Sequence, residues 1–448
     1  MFNKKDFSLL TSTEKNIFFV GQIAGNTYYT VAFNGVLTLF LLKIGVKEGL
    51  LGFLSIIPFI VGIASFFIVS WVEKNFNRIL RPNSCILVLL GFLLLPLFLL
   101  AEKIGYHPAV VYYAIFSFLY WASSQVSTLA WFPVVQLWVD ESERGRFLGT
   151  LRFTSTIVGF LFLRLSSYLL GPDPSFSQFF YIMLAVPLFS IIWPVSYFYV
   201  RMPDSLPEKK QQEKPALIFR DVFSDRERRL YFCFYFIWNI ISYIIAPFMM
   251  PFYKMELNLP SSFCVFLSSL SILGMGALAF IWGKVNDFRG SRFVLLFSFI
   301  LGMLWCLMIA HVHLFPADGA KKALIFLSLF GGIAGGGQLM GDTTRRFLIA
   351  PEKNRVAFFS YLVIFGGQLP ALIIPPISGR IIESHRNISF YGYGIYQLLF
   401  LLVGVFHIVL IAMILKMKPI KEKPVGEIFK DVVTENLLKL RDLIVSPP

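Results

Sequence analysis

The chain has 448 residues, 56% hydrophobic and 15% charged, with 50 phenylalanines and a mean hydropathy of +0.70. A soluble domain carries nearer 25% charged residues, and no soluble core could absorb this much apolar surface, whereas a bilayer can. The 40 Lys and Arg outnumber the 26 Asp and Glu without gathering on one soluble domain, which fits the basic bias of membrane-protein loops and not a nucleic-acid footprint.

Stretches of about 20 apolar residues cross a ~30 Å hydrocarbon core as helices. They fall at 17–42, 49–72, 83–101, 109–138, 147–170 and 177–200, then at 230–254, 261–283, 291–315, 321–348, 355–383 and 390–416. The first is too long for the apolar core of a signal peptide and reads as a retained helix. The expected fold is therefore all-α and integral to the membrane, with about 12 transmembrane helices in two pseudo-symmetric six-helix bundles. Residues 1–200 form the N-terminal bundle and 230–416 the C-terminal bundle. Between them, 201–229 is a cytoplasmic central loop with Pro203, Pro207, Pro215 and the charged run Glu208 to Lys214. In the cytoplasmic tail, 417–448, Ile428, Val432, Val433, Leu437, Leu440 and Ile444 share one helical face and predict an amphipathic helix.

Orientation follows from the basic residues. With the N-terminus in the cytoplasm, 31 of the 40 Lys and Arg lie on inner segments and 8 on outer ones, and Arg164 sits within a span. Both termini are thus expected to be cytoplasmic. The halves also match each other. Glu143 to Arg146 opens the fifth span as Glu352 to Arg355 opens the eleventh, 209 residues later, and Ser70 to Glu73 corresponds to Gly283 to Asn286 at an offset of 213. Internal repeats of this kind characterise transporters built from two halves.

Cys85, Cys233, Cys264 and Cys306 lie in or beside apolar stretches without a CxxC pair, so they read as small hydrophobes and not as metal or redox groups. The sequon at Asn387 is read as chance. No Walker loop, nucleophile–base pair, metal cluster or pair of carboxylates at depth stands out. Neither an enzyme, a cofactor nor an ATP-driven pump is expected.

The loop after the eighth span, Gly283 to Arg292, carries a pattern with its own physics. Gly283 lets two helix ends approach closely. Asp287 can accept hydrogen bonds at a neighbouring helix N-terminus. Arg289 and Arg292 can pair with acids across the interface between halves, latching the cytoplasmic side until it must open. With Gly290, these residues resemble the cytoplasmic loop motif of the major facilitator superfamily. Phe288 and Ser291 depart from it, where that family usually has Arg, and the first-half counterpart keeps only Glu73 and Arg78. The six-plus-six pattern with a basic central loop resembles the superfamily over residues 13–416.

That resemblance implies a secondary transporter working by alternating access, with spans 1, 4, 7 and 10 lining a central cavity. Polar residues on those spans are costly in lipid and should face the interior. Gln22, Asn26, Tyr29 and Phe33 share one face of the first span, with Asn34 beside it. Trp121, Gln125 and Thr128 share a face of the fourth. Trp238, Asn239, Ser242 and Tyr243 cluster on the seventh, and Gly335 to Gly337 precede Gln338 on the tenth. Aromatics beside amides suit a neutral, polyhydroxylated or ring-containing solute.

Ionisable residues in spans are the sharper candidates. Arg164 either snorkels outward or faces the cavity and binds an anion. Asp342, with Arg345 and Arg346 one turn on, makes a structural salt bridge or couples protons. Glu383 and His385 are expected to be solvated and His407 to be packed. The fourth span has neither Lys nor Arg from Ala109 to Val139, and the fifth has only Gly149 and Gly159, so the multidrug-antiporter signatures are missing.

The expected partners are a small-molecule substrate, a coupling ion (proton or sodium) and the lipid bilayer, with no nucleic acid, for a monomer in the plasma membrane, or the inner membrane of a bacterium. A lipid, amphiphile or drug translocase of the same fold, and a non-transporting sensor, are the alternatives.

Overall fold

A computed structural model describes residues 12–139, 141–200, 224–351 and 355–420. The central loop before residue 224, Glu352 to Asn354, and the tail carrying the expected amphipathic helix lie outside the described residues, as do the side chains of 141–146. Among the described residues every named element is helical, and Phe390 and Tyr393 form an isolated β-bridge.

Helix α1 runs over Ser12–Val31, passes through a π turn at Ala32–Val36 and ends in Leu37–Lys43. It is followed by α2 (Glu48–Ile68), α3 (Lys74–Ile104), α4 (Tyr106–Trp138), α5 (Phe147–Leu170) and α6 (Phe176–Tyr199). The second half holds α7 (Arg226–Glu256), α8 (Ser261–Ala277 with Ile281–Arg289), α9 (Ser291–Leu314), α10 (Ala317–Ile349), α11 (Phe358–His385) and α12 (Ile395–Lys416). Among the described residues, nine helices are long and apolar enough to cross a membrane, and α8, bent by 41° at its break, makes a tenth. Helices α1 and α4 fall short in apolar content, because Asn26, Asn34, Ser123, Ser124 and Gln125 dilute them. Helix α7 starts at Arg226, earlier than apolar length alone predicts, because the Asp225 side chain caps it by accepting from the Glu227 N–H at 3.4 Å.

One device ties the helices of each half together. At the start of α3, Arg81 Nε donates to the Tyr197 carbonyl and its Nη2 to the Val200 carbonyl, both at 2.9 Å, at the end of α6. At the start of α9, Arg292 donates to the carbonyls of Ile414 at 3.2 Å and Leu415 at 2.8 Å, at the end of α12. Helix C-termini leave carbonyls without intrahelical partners and carry partial negative charge, so a guanidinium is a fitting cap. Arg292 follows Arg81 by 211 residues, inside the offset range of the sequence repeats.

The halves meet where α5 packs on α8 and α2 on α11. A Cβ on Gly52 would lie 2.4 Å from the Pro375 carbonyl oxygen, and one on Gly379 would lie 2.4 Å from that of Glu48, so the two backbones touch. Polar bonds close the same end. The Gly49 N–H donates to Glu383 Oε2 at 3.1 Å, Lys47 lies 3.7 Å from the same carboxylate, and buried Glu48 accepts from the Tyr396 hydroxyl at 3.0 Å with Arg386 at 3.6 Å. Across α5 and α8, the N–H groups of Ser261 and Ser262 donate to the carbonyls of Pro172 and Gly171, both at 2.9 Å. Glu383 thus joins the halves while remaining exposed, as expected.

Candidate functional site: a cavity between the halves

A cavity of about 970 Å³ lies between the halves. Tyr29, Phe33 and Asn34 of α1 and Trp121 and Gln125 of α4 line it from one side. Trp238, Asn239 and Ser242 of α7 and Gln338 of α10 line it from the other. No Asp, Glu, Lys or Arg is among the described residues of its wall.

Local backbone irregularity shapes the first wall. Within the π turn of α1, Asn34 leaves helical geometry and its amide donates to the Thr30 carbonyl at 2.8 Å. Gly35 adopts φ +124°, which a side chain would not tolerate. The turn re-aims the helix where it borders the cavity, a common use of π turns. Beside it, the ring of Trp121 meets those of Tyr29 and Phe33 at 5.7 and 5.0 Å between centroids, and Tyr120 backs Phe33 at 5.0 Å. A second π turn, Leu362–Gln368 of α11, brings Gln368 to the wall, where its Oε1 is buried with no partner among the described residues.

Four residues expected in the cavity stand elsewhere. Gln22 is buried and donates to the Tyr197 hydroxyl at 2.7 Å, packing α1 on α6. It lies seven residues, roughly 10 Å of helix, from Tyr29, beyond the cavity's level. Asn26 is exposed and donates to Ser155 Oγ at 3.4 Å. Thr128 is exposed and donates back to its own helix at the Ser124 carbonyl, 2.9 Å away. Arg164 is exposed, its guanidinium 4.7 Å from the Phe266 ring, with Ser167 Oγ at 3.4 Å. It belongs to the α5–α8 contact, so the anion-binding option for Arg164 is withdrawn.

Among the described residues, Asp287, Arg289 and Arg292 make no bond across the halves. A Cβ on Gly283 would meet nothing within 4 Å among the described residues. Asp287 is exposed and has no partner among the described residues. Arg289 lies over the Phe293 ring at 4.9 Å, and Arg292 caps α12 of its own half. Gly290, with φ +81°, makes the turn from α8 into α9. Farther along, Asp342 is fully buried and accepts from Arg346 and from the Tyr231 hydroxyl, while Arg345, equally buried, pairs with Glu227 and donates to the Lys418 carbonyl at 2.7 Å. These groups link α7, α10 and the end of α12 below the cavity; none is among its lining residues.

Several wall residues escaped the sequence reading. Trp305 of α9 and His407 of α12 reach the cavity, as do Tyr235, Ser271 and Gln368. The glycines of α10 were the available signal, since they leave room for what stands behind them.

A family model described as Major Facilitator Superfamily matches residues 17–315 and 266–447. No curated protein matches the sequence. Among solved structures, a mutant form of the nucleoside transporter NupG superposes with a TM-score of 0.66 at 12% identity, over 91% of this chain and 100% of that one. A bacterial homologue of the human lysosomal transporter Spinster, inward-facing and occupied, gives 0.62 at 11% identity, over 92% and 97% of the two chains. At these identities the likeness is one of fold.

Proposed function

Because this chain belongs to the Major Facilitator Superfamily, we propose that it is a secondary transporter carrying a small, neutral, polar organic solute by alternating access. It is a multi-pass membrane protein of a transporter family. The observation that carries the solute class is the wall of the cavity: amides, hydroxyls and indoles from both halves, with no formally charged Asp, Glu, Lys or Arg among its described residues. Stacked aromatics favour a ring, and buried amides favour a solute that hydrogen-bonds without charge.

In this reading the chain spans the bilayer about 12 times with both termini in the cytoplasm. The end joined by Glu48 and Glu383 faces outward, so the cavity is closed to the outside. The exposed Asp287, unpartnered among the described residues, supports a latch that is disengaged in this state and forms when the cytoplasmic side closes. The site belongs to a monomer in the plasma or inner membrane, driven by a proton or sodium gradient or by that of the solute itself.

The likeness to a nucleoside transporter places nucleosides on the panel to be tried. Purified protein in liposomes, offered labelled uridine, adenosine, D-glucose and myo-inositol, is expected to show saturable counterflow of at least one. Folded protein that exchanges none of them contradicts the reading.

A further inference from the structure

Helix α10 is built so that the cavity reaches past it. Gly332 and Gly336 press on the α8 backbone, where a Cβ would lie 2.1 Å from the Ser271 carbonyl oxygen and 2.7 Å from that of Met275. Gly335 faces open space, with nothing within 4 Å of the Cβ position. Gly331 makes room for the Trp305 indole, whose Nε1 would lie 2.5 Å from a Cβ there. With these side chains missing, residues of α9 and α12 that stand behind α10 enter the wall: Gly302, Trp305, Cys306 and His407.

Two polar groups with unused bonding capacity, Gln338 and His407, meet in this recess, with the Trp305 indole beside them. Gly302 marks the point of convergence, since its Cβ would lie 2.7 Å from Gln338 Nε2 and 2.9 Å from His407 Nε2. The Gln338 amide has no hydrogen-bond partner among the described residues. Trp305 Nε1 is buried and likewise unpartnered among them. His407 Nδ1 lies 2.8 Å from the Val403 carbonyl. A carbonyl only accepts, so Nδ1 carries the proton, and in the neutral ring Nε2 is an acceptor. The recess therefore offers one acceptor and one amide able to donate or accept.

We propose that this recess selects the cargo, seating a neutral edge that carries a donor beside an acceptor, such as adjacent hydroxyls or a cyclic amide. The inference rests on the transport reading above. His407 Nε2 accepts from the cargo and the Gln338 amide completes the edge, while Tyr29, Phe33 and Trp121 cover the ring from the other half. A solute lacking the edge leaves buried polar groups unpaired and is rejected, which is how hydrogen-bonding sites discriminate.

The test is uptake kinetics in proteoliposomes with whichever of uridine, adenosine, D-glucose or myo-inositol shows counterflow. His407→Phe keeps a ring and removes the acceptor, and it is expected to raise KM about tenfold with Vmax little changed. His407→Gln returns an acceptor and recovers most of the loss. Gln338→Leu removes the amide, is expected to raise KM several-fold, and stands in should the His407→Phe protein not fold. Gly335→Leu fills the open space and is expected to abolish uptake by folded protein. If Gly335→Leu abolishes uptake while His407→Phe and Gln338→Leu leave KM unchanged, the recess is overturned and the cavity stands. If Gly335→Leu also transports normally, the cavity reading itself fails.

Discussion

Arg81 ties the start of α3 to the end of α6, and Arg292 ties α9 to α12 in the same way, yet the two halves build their cavity walls differently. The first half stacks its rings, Trp121 against Tyr29 and Phe33, beside Asn34 and Gln125. The second also brings a ring and amides, Trp238, Asn239 and Gln338, but thins α10 with glycine so that His407 enters from behind it. The difference separates two demands. Ending a helix poses the same problem in every repeat and receives the same answer. Holding one asymmetric solute gives each half a different face to match.

The largest effect should come where neither half can give way. Gly52→Leu drives a side chain into the Pro375 carbonyl, since even a Cβ would lie 2.4 Å from that oxygen. Overpacking against backbone costs about 3 kcal/mol or more, so folded yield and thermal stability in detergent should collapse. Gly149→Ala, with nothing within 4 Å of its Cβ, should change neither. If Gly52→Leu is as stable as the parent, the contact between α2 and α11 is not the tight seam described.

A smaller and more discriminating effect concerns the paired caps. Arg81→Met and Arg292→Met each leave two carbonyls without a charged donor, at a cost of about 1.5–3 kcal/mol apiece. The two losses, read by chemical denaturation, should agree closely. A large loss in one and none in the other would break the equivalence of the halves.

Much of the scaffold could be read from residue order, and the reason is the solvent. A hydrocarbon layer forces helices to a minimum apolar length, so the spans announce themselves. Of the cavity, the levels of Tyr29, Trp121, Gln125, Trp238, Asn239, Ser242 and Gln338 were legible because polar side chains in such helices need an interior to face. Depth and neighbours were not. Gln22 shares a helical face with Tyr29 but stands too far along α1 and meets Tyr197 instead. Arg164 is spent on Phe266, a ring contributed by the other half. Trp305 and His407 sit on helices that a six-plus-six pattern assigns to the periphery, and they reach the cavity only through the missing side chains of α10. Such contacts are set by packing between distant segments, which spacing along one helix cannot express.

A structure of the protein with its transported solute bound tests the central claim most directly. The account predicts the cargo inside the cavity, with its ring among Tyr29, Phe33 and Trp121 and its polar edge towards Gln338. Cargo seated outside that cavity, on the lipid-facing surface or at the joined end beside Glu48 and Glu383, would contradict it.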